Sequence, residues 1–79
     1  MDLKKIMNKD SYQIYKSCVK RLKKNKEKMF KVCQKYIETS DDNLMPDFEF
    51  YANEIYEDSQ NIRVLLIAYG IDEYYEWWI

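Results

Sequence analysis

The longest regular pattern of apolar positions lies in residues 11–38, where they recur at steps of three and four. Its members are Tyr15, Cys18, Val19, Leu22, Met29, Phe30, Cys33, Tyr36 and Ile37. This spacing places them along one stripe and predicts a long amphipathic α-helix. Asp10 or Ser11 is the expected N-cap, because either side chain can accept a hydrogen bond from a free N–H of the first turn.

A run rich in lysine at residues 23–28 interrupts this stripe, since Asn25 occupies a position where an apolar residue is expected. The run is compatible with a solvated stretch of one continuous helix or with a turn between two shorter helices, and we favour the continuous helix. Residues 1–9 contain Leu3, Ile6 and Met7 and predict a further short helical turn.

A clear boundary follows at residues 39–43, where small polar side chains compete for backbone hydrogen bonds. Pro46 suits the first turn of a helix, so a second amphipathic helix is expected to begin near it. The apolar side of this helix has members at i, i+3, i+4 and i+7, namely Phe48, Tyr51, Ala52 and Ile55.

Residues that favour a helix N-cap recur at 59–61, and the nearly apolar segment 62–69 after them predicts the most buried element of the chain. Gly70 is expected to terminate this element, because glycine adopts the left-handed conformation at little cost. Asp72 then offers a new N-cap for a final turn or two. The alternative is a β-hairpin over residues 64–79, whose runs are rich in β-branched and aromatic residues.

These elements predict an all-α fold, a small bundle of three to four helices, with residues 1–79 as a single helical domain. One Gly and one Pro in 79 residues agree with a chain that has few turns. With the C-terminal hairpin, the fold would instead be α+β.

The net charge of −1 conceals a separation of charge along the chain. Residues 1–39, the basic half, hold eleven lysines and Arg21 against four acids, a net charge of +8. Residues 40–79, the acidic half, hold ten acids against Arg63, a net charge of −9. Most of the aromatic residues also belong to the acidic half. The chain is therefore bipolar, and we expect the basic half to attract acidic partners and the acidic half to attract basic partners.

The absence of histidine removes the commonest general base and the commonest nitrogen ligand of metals. Asp41, Asn43 and Asp47 resemble the start of a calcium loop, but Pro46 stands where that loop needs glycine and Ala52 where it needs glutamate. We therefore expect a non-enzymatic protein without a cofactor or metal site. Two cysteines and no apolar run of signal-peptide or membrane-spanning length favour a reduced, cytoplasmic protein.

The acidic and aromatic side chains of the acidic half are expected to dock on a basic, partly apolar surface of a larger protein. The predicted partner-binding residues are Glu49, Glu54, Tyr56, Glu57, Asp58, Glu73, Tyr74, Glu76 and Trp77. Their carboxylates could imitate a phosphate strand and block a nucleic-acid-binding groove. In small size, missing catalytic residues and charge separation, the chain is similar to small phage-encoded host-inhibitor and anti-CRISPR proteins, which implies an inhibitor of a nucleic-acid-handling protein.

Two alternatives stay open. The lysine-rich helix could bind nucleic acid as a regulator, with phosphates contacted by Lys16, Lys20, Lys24, Lys28 and Lys31. Because Arg21 is the only arginine of that helix, such contacts would be to the backbone rather than to base edges. The chain could also be a structural subunit that forms a homo-oligomer by pairing positive halves with negative halves.

Overall fold

The computed structural model describes residues 2–71 and the backbone of residues 76–78, with the side chains of Trp77 and Trp78. The described part is all-α, as predicted. It contains the helices α1 (Leu3–Ile6), α2 (Lys9–Thr39) and α3 (Met45–Ala68), together with 3₁₀ turns at Asp42–Leu44 and Glu76–Trp78. The long helices α2 and α3 pack against each other as an antiparallel hairpin, and the molecule measures 47 × 20 × 17 Å.

Helix α2 is continuous through the lysine run, which confirms the favoured reading of residues 23–28. Lysine, glutamate and glutamine are good helix formers and the segment contains neither Gly nor Pro, so Asn25 alone does not break it. The predicted N-cap is wrong by two or three residues. The side chain of Asn8 accepts the hydrogen bond from the Ser11 N–H at 2.8 Å, and the helix begins at Lys9.

The predicted boundary after α2 is confirmed. Ser40 ends the helix in the left-handed conformation, with φ 52°, and its N–H donates to the Tyr36 carbonyl at 2.7 Å. The Asp41 side chain then accepts a hydrogen bond from the Asn43 N–H at 3.0 Å. Pro46 lies in the first turn of α3, where its missing N–H leaves no helical hydrogen bond unmade.

The predicted break at residues 59–61 does not exist, because α3 runs without interruption to Ala68. The hydroxyl of Ser59 donates to the Tyr56 carbonyl at 2.7 Å, so the side chain bonds back into its own helix and caps nothing. Segment 62–69 is likewise not the most buried element. Ile62 and Leu66 are buried, whereas Val64 and Ile67 on the other side are exposed.

Gly70 terminates α3 as expected. Its φ is 73°, the Ile71 N–H donates to the Leu66 carbonyl, and the Gly70 N–H donates to the Ile67 carbonyl, which together form a Schellman motif. The alternative hairpin is wrong over residues 64–68, which are helical. The expected cap at Asp72 and the predicted partner-binding residues Glu73 and Tyr74 lie outside the described residues.

Among the described residues, the core occupies one end of the hairpin, which we call the proximal half (residues 3–22, 55–71 and 76–77). The ten hydrophobic residues that are buried in the described part of the chain lie there: Leu3, Met7, Tyr15, Cys18, Leu22, Ile55, Ile62, Leu66, Ile71 and Trp77. In the distal half, residues 23–54, no residue is fully buried. The difference arises because the segment before α2 and the segment after α3 pack on α2 as a third layer and contribute side chains to this core.

The two cysteines are free and lie fifteen residues apart on one straight helix, about 22 Å at 1.5 Å per residue. Cys18 is buried in the proximal core, and this burial raises the pKa of its thiol. Cys33 is half-buried in the distal half. The part of the chain that the structure describes contains no helix long and apolar enough to span a bilayer.

Candidate docking surfaces

The basic and acidic halves are joined by a two-bond ion pair inside the hairpin. Arg21 donates to the Asp58 carboxylate through Nη2 at 3.0 Å and through Nε at 3.4 Å. The Asp58 side chain is only 6% exposed, and these hydrogen bonds raise the pKa of the Arg21 guanidinium. Asp58, one of the predicted partner-binding residues, therefore serves the packing of α2 on α3 and is not available at the surface of the free protein.

Charge pairing between the halves goes little further among the described residues. The other ion pair found there, between Lys31 and Glu27 at 3.8 Å, lies within α2 and is exposed at both ends. Such exposed pairs contribute about 0–1 kcal/mol each. Most of the described acids and lysines therefore face solvent, and the molecule presents one strongly basic and one strongly acidic surface.

The outward side of α3 carries the predicted partner-binding residues that are accessible. Glu49, Tyr56 and Glu57 are exposed there, and Glu54 is half-buried beside them. At about 100° per residue, the exposed members lie about 100–160° around the helix from the buried residue Ile55. Three of the predicted partner-binding residues are therefore accessible in the free protein.

Three apolar residues complete this surface and were missed by the sequence reasoning. Phe50, Val64 and Ile67 are 58–65% exposed on the part of α3 that is turned away from Ile55 and Ile62. We define the α3 outer face as Glu49, Phe50, Tyr56, Glu57, Val64 and Ile67, which together cover about 120° of the helix circumference and about 27 Å of its length at 1.5 Å rise per residue. The signal was present in the apolar run 62–69, which is too continuous for a helix with one buried side.

The C-terminal aromatic residues divide between core and surface. Trp77 is 4% exposed and belongs to the core, so its ring is not open to a partner in the free protein. Trp78 is half-exposed and held by Lys26, whose ammonium donates to the Trp78 carbonyl at 2.7 Å and lies 4.4 Å from the ring centroid. Of Glu76, only the backbone position in the 3₁₀ turn is described.

The predicted phosphate-contacting lysines form a second surface on α2, which we call the lysine stripe. Lys16, Lys20, Lys24, Lys28 and Lys31 are all exposed and follow one another along about 22 Å of helix. They lie opposite the buried residues Tyr15, Cys18 and Leu22. Two of them rest over rings, Lys16 at 5.6 Å from the Tyr12 centroid and Lys28 at 5.9 Å from the Tyr51 centroid.

The described residues include no group of three or more Cys, Asp or Glu placed to hold a metal ion. Comparison of the chain with protein-family models, curated protein sequences and solved structures gives no match.

Proposed function

We propose that the protein is a non-enzymatic protein-binding module that docks through the α3 outer face on a basic, partly apolar surface of a larger protein. The observation that carries the proposal is the exposure of four large side chains, Phe50, Tyr56, Val64 and Ile67, on a helix whose opposite side is already buried. A helix that is apolar on both sides usually has a second partner. Apolar strips of this kind on a small chain are typical of interaction sites.

The chemistry of the α3 outer face defines the partner. Tyr56 and Phe50 supply aromatic contact area of the type enriched at binding hot spots. Glu49 and Glu57 lie among the apolar residues, and the acidic half has a net charge of −9, which favours encounter with a positively charged surface. Basic surfaces of this kind bind nucleic acid, so the module would act as a small inhibitor of a nucleic-acid-handling protein, as expected for phage-type inhibitors.

Affinity purification from the native host, followed by mass spectrometry, tests this proposal. The tagged protein should capture one dominant protein, and the purified partner should lose its nucleic-acid binding when the module is added. Glu57→Lys and Tyr56→Ala should each weaken capture at least tenfold, as expected for hot-spot positions. The matched control Glu27→Lys changes an exposed acid away from the α3 outer face and should capture normally. Equal capture by Glu57→Lys and Glu27→Lys would contradict the proposal.

Nucleic-acid binding is a second candidate function, favoured by the unbroken exposure of the lysine stripe along α2. Contact with about five phosphates would give a logarithmic salt dependence with a slope of about −4 to −5. Fluorescence anisotropy with a labelled duplex at increasing salt measures this slope.

Charge reversal identifies the surface that is responsible. Replacement of Lys20, Lys24 and Lys31 by Glu should abolish binding, whereas the same exchange at Lys4, Lys5 and Lys9 changes the net charge equally but leaves the stripe intact. Absence of binding by the wild-type protein even at low salt would remove this second candidate.

A further inference from the structure

An apolar groove opens at the hairpin turn, away from both surfaces described above. It lies between the end of α2 and the start of α3, is lined by apolar side chains that include Tyr36, Ile37, Met45 and Phe48, and has a volume of about 240 Å³. Ile37 is 79% exposed and Met45 is half-exposed at its mouth. This volume is below the roughly 300–1,000 Å³ of pockets for small molecules and suits one or two apolar side chains.

Hydrogen bonds order the turn next to the groove. The Tyr36 hydroxyl donates to the Asp42 carboxylate at 3.5 Å, and the Asp41 N–H donates to the Thr39 hydroxyl at 3.3 Å. The Asp41 carboxylate in turn accepts from the Asn43 N–H. A turn that is already ordered in this way loses little conformational entropy when a partner binds.

The chain around the groove-lining residues is acidic, and we call its carboxylates the acidic rim. Residues 38–47 contain four exposed carboxylates and no lysine or arginine, namely Glu38, Asp41, Asp42 and Asp47. None of the four takes part in an ion pair with a described lysine or arginine. An apolar groove with an unneutralised acidic rim is complementary to a segment whose apolar side chains are flanked by cations.

We propose that this groove binds a basic amphipathic helix of a partner protein, with one or two of its large apolar side chains inserted between Ile37, Met45 and Phe48 and its lysines or arginines over the acidic rim. Helix-in-groove recognition uses this combination of apolar anchors and flanking charge. A nucleic acid is disfavoured because the carboxylates repel phosphates. A second copy docked symmetrically through the same groove would bring two acidic rims together. The proposal does not depend on the function of the α3 outer face, which is a separate surface.

The test uses a fluorescein-labelled 14-residue peptide of leucine and lysine in helical period and measures its anisotropy with the full-length protein. The wild-type protein should bind it, and a peptide with every lysine replaced by glutamate should not bind. Ile37→Ser should weaken binding at least tenfold, the effect expected of an anchor contact. The matched control Ile14→Ser changes another exposed isoleucine, which lies on α2 outside the groove and the α3 outer face, and should change the affinity less than about twofold.

The rim is tested in the same assay. Asp42→Asn combined with Asp47→Asn should weaken binding several-fold, whereas Asp10→Asn combined with Glu27→Gln removes the same charge elsewhere and should leave the affinity nearly unchanged. Far-UV circular dichroism checks that each variant keeps the wild-type helix content. No binding by the wild-type protein, or equal losses for Ile37→Ser and Ile14→Ser, would overturn the proposal. A concentration-dependent dimer that Ile37→Ser abolishes, seen by sedimentation velocity, would also overturn it by assigning the groove to a second copy.

Discussion

The proximal and distal halves are built from the same two helices with the same apolar periodicity, yet only the proximal half has a core. Two helices side by side leave much of their facing stripes open to water, because neither can enclose the other. In the proximal half, Leu3 and Met7 from the N-terminus and Ile71 and Trp77 from the C-terminus close the core. Burial here therefore depends on a third layer, and the apolar side chains of the distal half stay partly open to water.

The largest expected effect is a difference in core truncation between the halves. Leu22→Ala removes a fully buried side chain and should lower the free energy of unfolding by about 3–4 kcal/mol. Phe48→Ala in the distal half should cost only about 1 kcal/mol, because Phe48 is half-buried and makes fewer contacts. Urea unfolding followed by circular dichroism measures both. Similar costs at the two sites would mean that the distal half is as well packed as the proximal half.

The next effect concerns the ion pair that joins the halves of opposite charge. Arg21→Met leaves the buried Asp58 carboxylate without its donors and should cost about 1–2 kcal/mol, a value reduced by the solvent exposure of Arg21. The control Arg63→Met changes an exposed arginine and should stay within about 0.5 kcal/mol. If the two variants unfold at the same urea concentration, the Arg21 pair contributes nothing to the hairpin.

Substitutions at the C-terminal ends of α2 and α3 should change the free energy of unfolding by smaller amounts and in opposite directions. Ser40→Gly relieves a left-handed non-glycine residue at the distal end and should stabilise the protein by about 0.5–1 kcal/mol. Gly70→Ala places a Cβ on a residue with φ 73° and should destabilise it by about 1 kcal/mol. No atom lies within 4 Å of that Cβ, so the cost is conformational. Thermal unfolding of both variants checks the signs, and a stabilised Gly70→Ala would contradict the Schellman end of α3.

The smallest expected effect is a loss of folding stability at alkaline pH, which comes from the buried thiol of Cys18. Burial raises the pKa of Cys18 in the folded state, so the unfolded chain loses its proton first as the pH rises. The contribution of Cys18 to stability is therefore complete below its unfolded pKa and declines as the pH rises towards the folded pKa. As the pH rises above about 8.5, the ordinary pKa of a cysteine thiol, the wild-type protein should lose more stability than Cys18→Ala does. Parallel pH profiles for the two proteins would show that Cys18 titrates normally.

The elements that sequence predicted correctly are those fixed by local chemistry. The α2 stripe, the turn at residues 39–43 and the stop at Gly70 all follow from side chains and backbone preferences within a few residues. The predicted break at 59–61 was wrong because the Ser59 hydroxyl donates to a carbonyl of its own helix. Serine can either cap a new helix or bond back into the same one, and the local sequence does not distinguish the two.

The candidate surfaces were predictable only in part. Charge and exposure of Glu49, Tyr56 and Glu57 could be expected from the amphipathic pattern of α3. The burial of Asp58 and Trp77 could not, because it depends on contacts with Arg21 and with other parts of α2 that are distant in sequence. The groove at Ile37 could not be predicted either. It is open because the third layer does not extend to the distal half, and the local sequence pattern does not show where that layer ends.

Native-state hydrogen exchange of the backbone amides tests most directly the claim that the hairpin has a packed half and an open half. The account predicts strong protection, near that of global unfolding, for residues 15–22 and 55–66, and exchange by local opening that is at least tenfold faster for residues 30–37 and 46–52. Uniform protection along both helices would contradict it.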